Sequence, residues 1–271
     1  MSHYAPYMLH DHAVVTGAAS GLGRALCLEV AGRGGKVVVS DVDMTGAEET
    51  AQLVEQRGGR AVVIQCDVAD PDQMQSLSEK AEAEFGPVTL LCNNAGVAVS
   101  GPFEDISLKD WKWIMDINLW GVIHGCRAFL PAMRRRKHGY VLNVASAAGL
   151  LRMPEMSPYN VTKVGVVGLS ETLNAEYASH HVKVTALCPT FFQTGILDNG
   201  RGNSAGTKLA ARLMKRSKIQ APDVARIALE DLRKGRTYSI PMRDGRMMWR
   251  LKRAAPEAFY SLLAKGSRWM R

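Results

Sequence analysis

Short apolar runs rich in valine alternate with longer amphipathic segments along most of this chain. The runs lack the apolar–polar alternation of a half-exposed strand and end in polar or turn-forming residues, which is typical of strands buried on both faces of a parallel sheet. Six runs of this kind occur, at 13–16, 36–40, 61–66, 88–92, 140–145 and 183–188, and a seventh candidate strand lies at 237–240. This order predicts an α/β fold, a doubly wound parallel sheet of about seven strands with helices on both faces.

Two of the intervening segments carry clear helix signals. Apolar residues recur at helical spacing in segment 21–33, and the glycine pair at 34–35 predicts its end. Segment 158–179 follows Ser157, a predicted N-cap, and has Pro158 in its first turn. Helices therefore follow both the first and the fifth predicted strands.

Composition excludes several classes of protein. The 271 residues suffice for one large α/β domain, and 46% hydrophobic with 22% charged residues exclude a disordered chain. No stretch approaches the roughly 20 apolar residues that span a bilayer, and the N-terminus lacks the pattern of a secretory signal. The five cysteines form no CxxC pair and lie in apolar contexts, which predicts free buried thiols in the cytoplasm and no metal site. They are Cys27, Cys66, Cys92, Cys126 and Cys188.

The net charge of +8 is concentrated near the C-terminus. Residues 1–199 hold 16 basic and 21 acidic residues, a net charge of −5, whereas residues 200–271 hold 18 basic and 5 acidic residues, a net charge of +13. A basic run at 134–137 ends a predicted helix, where cations complement the helix dipole. Nucleic-acid binding is therefore not expected.

A glycine-rich turn follows the first predicted strand. The sequence TGAASGLG at 16–23 leads into a helix, and Gly17, Gly21 and Gly23 permit a tight turn that a pyrophosphate can approach. The next strand ends at Asp41, where a carboxylate can accept hydrogen bonds from ribose hydroxyls and repels a 2′-phosphate. This arrangement favours NAD over NADP.

Polar residues also follow the third and fourth predicted strands. They are Asp67-Val68 and the sequence NNAG at 93–96. The carboxyl ends of parallel strands are where open α/β sheets bind ligands, so these residues are predicted to face the same site.

Tyr159 and Lys163 are four residues apart and share one face of a predicted helix. Ser146 ends the preceding strand. A phenol can transfer a proton in a hydride-transfer reaction, and a nearby ammonium and the helix N-terminus are expected to lower its pKa. A serine hydroxyl can hold the substrate oxygen.

Taken together, these motifs resemble the short-chain dehydrogenase/reductase family in its single-domain NAD form. The resemblance covers residue 12 to about residue 198. The matching residues are TGAASGLG (16–23), Asp41, Asp67-Val68, NNAG (93–96), Asn118, Ser146, YNVTK (159–163) and Pro189. It implies a seven-stranded Rossmann-type domain, and a homodimer or homotetramer packed through helices at about 109–133 and 158–179.

The resemblance also implies roles for individual residues. Tyr159 is expected to be the catalytic acid/base, and Lys163 to bind the nicotinamide ribose and lower the tyrosine pKa. Ser146 is expected to orient the substrate oxygen, and Asn118 to hold a water of a proton relay. The implied cofactor contacts, besides Tyr159 and Lys163, are Gly17, Ser20, Gly21, Leu22, Gly23, Asp41, Asp67, Val68, Asn94, Ala95, Gly96, Pro189 and Thr190.

Two features depart from the family pattern. Many relatives have glycine where this chain has Thr190, and many tetrameric relatives end soon after the seventh strand. Here a catalytic domain at 1–241, with a substrate loop at about 190–220, is followed by a basic tail at 242–271. The tail puts a tetramer built through that end in doubt.

The tail is predicted to be helical and amphipathic, with a break or a new helix at Pro256. Three uses remain open: docking on its own domain, a lid or partner contact, and binding to an anionic membrane surface. Its arginine face is predicted to hold Arg246, Arg250 and Arg253, and its apolar stripes Met248, Leu251, Ala255, Phe259, Leu262 and Leu263, with Trp269 near the end.

The predicted activity is NAD-dependent interconversion of a secondary alcohol and a ketone or aldehyde. A bulky hydrophobic substrate is expected because the predicted pocket segments are apolar. Their apolar residues include Leu150, Leu151, Met153, Met156, Phe191 and Phe192. Two alternatives remain: an NADPH-dependent carbonyl or 3-oxoacyl reductase, and a non-catalytic nucleotide-sensing module.

Overall fold

A seven-stranded parallel sheet forms the centre of the computed structural model, which describes residues 12–196, 200–202, 212 and 214–268. The strand order is β3-β2-β1-β4-β5-β6-β7, and every adjacent pair is parallel. All seven predicted runs are confirmed as strands. They are β1 (His12–Thr16), β2 (Lys36–Asp41), β3 (Arg60–Gln65), β4 (Leu90–Asn93), β5 (Gly139–Val144), β6 (Val182–Leu187) and β7 (Tyr238–Ser239).

Helices connect the strands and complete the C-terminal region. The described residues include α1 (Gly21–Ala31), α2 (Met44–Gln56), α3 (Pro71–Phe85), α4 (Leu108–Met115), α5 (Gly121–Arg136), α6 (Ala147–Leu151), α7 (Ser157–Tyr177), α8 (Ala221–Arg233), α9 (Arg243–Ala254) and α10 (Pro256–Arg268). A π-helical turn, Asp116–Trp120, joins α4 to α5. Short 3₁₀ turns occupy Phe103–Asp105 and Ala178–His180.

The sheet is buried on both faces, which explains the unbroken apolar runs. Val14 packs into one core cluster with residues of α3, α5 and α7, and its neighbour Val15 packs into a second cluster with residues of α1, α2 and α8. Successive strand residues point to opposite faces, so a strand covered on both sides needs apolar residues at both alternating positions. The fold class is therefore the predicted one.

The topology defines where a ligand site can form. From β1 the chain moves outward to β2 and β3, then crosses back to β4 on the other side of β1. The connections leaving β1 and β4 diverge at this switch point, and open α/β sheets bind ligands in the crevice that results.

Three local expectations need correction. The first helix ends at Ala31, with Gly32 as its C-cap, slightly before the predicted boundary. Ser157 is the first residue of α7 rather than its N-cap; Met156 holds that position, and the Ser157 hydroxyl oxygen is buried without a hydrogen-bond partner in the described residues. The helix expected at about 109–133 is interrupted by the π turn.

The tail folds back as two helices, and α10 begins at Pro256 as predicted. The predicted apolar stripes are only partly right, because Leu251 and Leu262 are 47% and 62% exposed whereas Phe259 is buried. Lys252 occupies the buried face of α9 instead. Trp269 lies outside the described residues. Among the helices of the described segments, none has the length and apolar character that crossing a bilayer requires.

Candidate active site

The ends of β1 and β4 are joined by a side chain that sequence reasoning did not assign. The Thr16 hydroxyl oxygen accepts hydrogen bonds from the backbone N–H groups of Asn94 (3.1 Å) and Ala95 (3.2 Å). In return, the Asn94 amide donates to the carbonyls of Thr16 (2.8 Å) and Gly17 (2.9 Å). The Asn94 side chain therefore fixes the crevice, and Ala95 lies directly against the glycine-rich turn.

The three glycines of that turn serve different purposes. A Cβ atom on Gly23 would lie 2.1 Å from the Gly17 carbonyl oxygen, and one on Gly17 would lie 2.6 Å from Cα of Ala95. Both positions exclude a side chain because of the protein's own packing. Gly21 (φ +54°) differs, since a Cβ there would approach nothing closer than Thr194, at 3.8 Å.

The start of α1 has the properties of an anion site. Ser20 is the N-cap, is exposed, and makes no side-chain capping hydrogen bond. The first N–H groups of a helix have no partner within the helix, and they attract phosphate together with the helix dipole. With the open position at Gly21, these residues fit the pyrophosphate of a dinucleotide.

Asp41 lies at the carboxyl end of β2 and is held in place from two sides. One carboxylate oxygen accepts from the Ala19 N–H (2.9 Å) and the other from the Asp43 N–H (3.0 Å). Each oxygen keeps a further lone pair for a hydroxyl donor. The Asp41 carboxylate therefore holds the glycine-rich turn in place and can also accept hydrogen bonds from ribose hydroxyls.

The two predicted adenine contacts differ in exposure. Asp67 accepts from the Ala69 N–H (3.0 Å) in a local turn and is exposed. Val68 is 7% exposed and packs against Gly121, where a Cβ would lie 2.8 Å from a Val68 methyl group. Val68 is thus largely a core residue.

Tyr159 and Lys163 project from α7 into the centre of the molecule. They are 8% and 3% exposed, and the Lys163 ammonium donates to the Val144 carbonyl at 2.8 Å. Ser146 follows β5 as the N-cap of α6, and its hydroxyl oxygen accepts from the Ala148 N–H (3.1 Å). The predicted trio of tyrosine, lysine and serine therefore converges in space.

The electrostatics differ from the sequence-based expectation. Burial lowers the pKa of Lys163 to about 8. Burial also raises the pKa of Tyr159, and the hydrogen bond with Ser146 opposes this shift only in part. Contrary to the prediction, the pKa of Tyr159 is raised, because the loss of water around the phenol outweighs the Ser146 hydrogen bond that favours the phenolate.

Asn118 is fully buried within the π turn, a feature often found at functional sites. Its side-chain oxygen accepts from the Val97 N–H (2.8 Å), and its amide donates to the Val97 carbonyl (2.9 Å) and more weakly to Thr162 (3.4 Å). The side chain thus holds the segment after β4 against α7. A Cβ on Gly96 would lie 3.3 Å from the Asn118 side-chain oxygen and 3.5 Å from the Lys163 ammonium nitrogen.

Apolar side chains form a small cluster with Tyr159. They come from the segment after β4, from α4 and from the start of the substrate loop, and include Val97, Ala98, Val99, Ile106, Trp113, Ile114, Ala148, Met156 and Ile196. Met156, one of the residues predicted to line the pocket, belongs to this cluster. Three other predicted pocket residues, Leu150, Leu151 and Phe192, are instead buried in the two main core clusters.

Arg201 ties the substrate loop to this apolar wall, and sequence reasoning missed it. Its backbone bonds to Ala98 (N–H to carbonyl, 2.9 Å) and to Ser100 (carbonyl to N–H, 3.1 Å). Its guanidinium pairs with Asp110 at 2.8 Å and stacks 3.7 Å from the centroid of Trp113. The one available signal was a single basic residue within the glycine- and asparagine-rich stretch 195–207.

Pro189 and Thr190 follow β6 at the same edge of the sheet. The Pro189 carbonyl accepts from the Ala147 N–H at 2.8 Å, which fixes the start of α6. The Thr190 hydroxyl lies 3.4 Å from a carboxylate oxygen of Asp244 in α9. The unusual threonine therefore contacts the tail.

Comparison with known proteins agrees with this geometry. The family model for short chain dehydrogenases matches residues 11–204. A putative oxidoreductase SadH from Mycobacterium tuberculosis is 32% identical over 260 residues, 94% of each chain. The 3beta-hydroxysteroid dehydrogenase 1 of Eggerthella lenta is 34% identical over 218 residues, covering 79% of this chain and 84% of that one.

Solved structures give the same result. A short chain dehydrogenase/reductase from Burkholderia phymatum, in complex with NAD, superimposes with a TM-score of 0.88 at 33% identity and covers 94% of this chain and 96% of that one. Levodione reductase superimposes with a TM-score of 0.79 at 26% identity, covering 88% and 97%. The chain therefore belongs to the short-chain dehydrogenase/reductase family of oxidoreductases that act on CH–OH groups with NAD or NADP.

Proposed function

We propose that this protein is an NAD-dependent dehydrogenase that interconverts a bulky apolar secondary alcohol and its ketone. The observation that carries the proposal is the position of Tyr159, which is 8% exposed, belongs to an apolar cluster and lies within reach of Ser146 and Lys163. A buried acid/base beside an apolar wall suits a substrate with one polar oxygen on a hydrophobic body.

Each catalytic side chain has a distinct task in this proposal. Bound nicotinamide would accept or return the hydride of the substrate carbon. Tyr159 takes the hydroxyl proton during oxidation and returns it during reduction. Ser146 holds the substrate oxygen near the phenol, and the Lys163 ammonium stabilises the phenolate as the proton leaves.

The proposed preference for NAD depends on Asp41. Its carboxylate is fixed by Ala19 and Asp43 at the end of β2, so it cannot turn away from an additional negative charge. Fluorescence titration with NADH and NADPH tests this directly. Wild-type protein should bind NADH more tightly, and Asp41→Ala should reduce the difference, whereas Asp72→Asn, an exposed acid at the start of α3, should leave it unchanged.

Tighter binding of NADPH by the wild type would support the carbonyl or 3-oxoacyl reductase alternative. That alternative has a named relative, a 3-oxoacyl-[acyl-carrier-protein] reductase from Synechocystis that is 34% identical over 188 residues. Full turnover by Tyr159→Phe would instead support a role of the site in nucleotide sensing.

The substrate is best sought with a panel of secondary alcohols and ketones that vary in size and charge, followed by nicotinamide absorbance. The apolar wall predicts the highest kcat/KM for large uncharged members, such as steroid- or terpenoid-like carbinols. Preference for small charged alcohols would contradict the proposal.

We also propose a cytoplasmic homo-oligomer. The five cysteines are buried and form no disulfide, as expected in a reducing compartment. Apolar side chains remain exposed along the predicted contact helices, among them Trp120 (49%) and Val161 (46%). Sedimentation analysis of wild type and Trp120→Glu tests the contact, and an unchanged mass would argue against it.

A further inference from the structure

The tail helix α9 contacts two sides of the candidate active site. At the start of α9, the Asp244 carboxylate accepts a hydrogen bond from the Thr190 hydroxyl at 3.4 Å. Gly245 packs against the same threonine, and a Cβ on it would lie 2.7 Å from the Thr190 methyl group. Near its end, the Lys252 ammonium donates to the Leu150 carbonyl at 2.6 Å. The two departures from the family pattern, the threonine and the tail, are therefore in direct contact.

Leu150 belongs to α6, the short helix whose N-cap is Ser146. The Leu150 carbonyl also accepts from the Arg152 guanidinium at 3.1 Å, so two cations share the last turn of α6. Cations there complement the negative end of the helix dipole. A helix of five residues has little stability of its own, so its position depends on such tertiary contacts.

The choice of lysine at position 252 needs an explanation beyond packing. The side chain is 9% exposed, and among the described residues no carboxylate lies within ion-pair distance of it. The ammonium nitrogen also lies 5.2 Å from the centroid of the Tyr260 ring. A buried charge without a counter-ion is costly. An apolar residue would pack at lower cost, whereas only a donor can hold the Leu150 carbonyl.

We propose that α9 is a positioning element of the active site: Lys252 anchors α6 and thereby sets the Ser146 hydroxyl against Tyr159. This inference rests on the roles given to Ser146 and Tyr159 in the proposed function. The basic tail thus contributes to proton transfer through α6, and the Lys252 contact is separate from the start of α1, where the pyrophosphate is expected to bind.

The test compares Lys252→Met with Arg250→Met, a matched change on the exposed face of the same helix. The assay uses NAD and the alcohol that the wild type oxidises fastest. Lys252→Met should lower kcat about tenfold or more, while NADH binding stays within about twofold of wild type, and Arg250→Met should change neither. Lys252→Arg keeps a cationic donor and should recover part of the loss.

A second measurement does not need turnover. Ultraviolet difference titration, with each variant compared against its Tyr159→Phe counterpart, gives the pKa of Tyr159. Ser146→Ala and Lys252→Met should both raise it, because each weakens the contact that favours the phenolate.

The outcomes separate the two proposals. If Ser146→Ala retains full turnover, the proposed catalytic roles are wrong. If Ser146→Ala loses activity but Lys252→Met matches Arg250→Met in kcat and in the Tyr159 titration, the positioning role of α9 is overturned. Should Lys252→Met fold poorly, Lys252→Gln replaces it, because the glutamine side chain is one bond too short to hold the Leu150 carbonyl from the same position, and wild-type kcat and Tyr159 titration in that variant would reject the proposal.

Discussion

The Lys163 ammonium nitrogen lies 5.7 Å from the centroid of the Tyr159 ring while it donates to the Val144 carbonyl. The lysine is thus tied to β5 rather than to the phenol. Its pKa is lowered to about 8 because burial removes water from the charged form. This relationship makes the charge of Lys163 dependent on pH in a range where ordinary lysines remain protonated.

Lys163→Met should change the pH dependence of stability. The unfolded chain holds the lysine proton up to a pH of about 10.4, whereas the folded protein releases it near 8. The unfolded state therefore binds more protons between these values, and wild-type stability gains as pH rises through this range, by up to about 3 kcal/mol from this group.

Denaturant unfolding at pH 7 and pH 10 measures this effect. The stability of Lys163→Met relative to wild type should be greater at pH 7 than at pH 10. Lys109→Met, which alters an exposed lysine of α4, should show no such dependence. Equal differences at both pH values would mean that Lys163 titrates normally.

Tyr159→Phe should lower turnover by about two to four orders of magnitude, since it removes the proton-transfer group and leaves the ring in place. NADH affinity should change much less than turnover, because the aromatic ring and the other implied cofactor contacts remain. Steady-state kinetics and fluorescence titration check the two quantities. Tyr177→Phe, near the end of the same helix, serves as the control, and it should match the wild type.

Arg201→Lys should weaken substrate binding more than it slows catalysis. The lysine keeps the charge opposite Asp110 but loses the planar stack on Trp113, an interaction worth about 0.5–2 kcal/mol. The KM for the best apolar substrate should therefore rise about threefold to tenfold, with a smaller change in kcat. Arg216→Lys is the matched control in the same region, and a fall in kcat at constant KM would contradict this account.

Two glycine-to-alanine changes within helices should have opposite effects. Gly23→Ala places a Cβ 2.1 Å from the Gly17 carbonyl oxygen, so the glycine-rich turn must distort, and both stability and NADH affinity should fall. A Cβ at position 168 would have no other atom within 4 Å, so Gly168→Ala introduces no clash. It should stabilise α7 by up to about 1 kcal/mol, since alanine is the better helix former. Thermal unfolding and nucleotide titration measure both variants.

The chain's pattern alone determined the fold and the location of the site. Six valine-rich runs and one further candidate at 237–240 predicted seven strands, because a sheet covered on both faces needs apolar residues on both sides of each strand. The glycine-rich turn, Asp41 and the asparagines after β4 follow from the same logic, since the carboxyl ends of parallel strands meet at one edge. The spacing of Tyr159 and Lys163 likewise needed only the helical period.

Other features were decided by tertiary structure. Arg201 pairs with Asp110, and Lys252 donates a hydrogen bond to the Leu150 carbonyl. The partners in each pair are far apart in the sequence, so local spacing could not predict either contact. The apolar residues Leu150, Leu151 and Phe192 resemble pocket residues in composition, but packing placed them in the core. The direction in which the pKa of Tyr159 shifts could not be predicted from the sequence either, because it depends on how much water the folded protein removes from around the phenol.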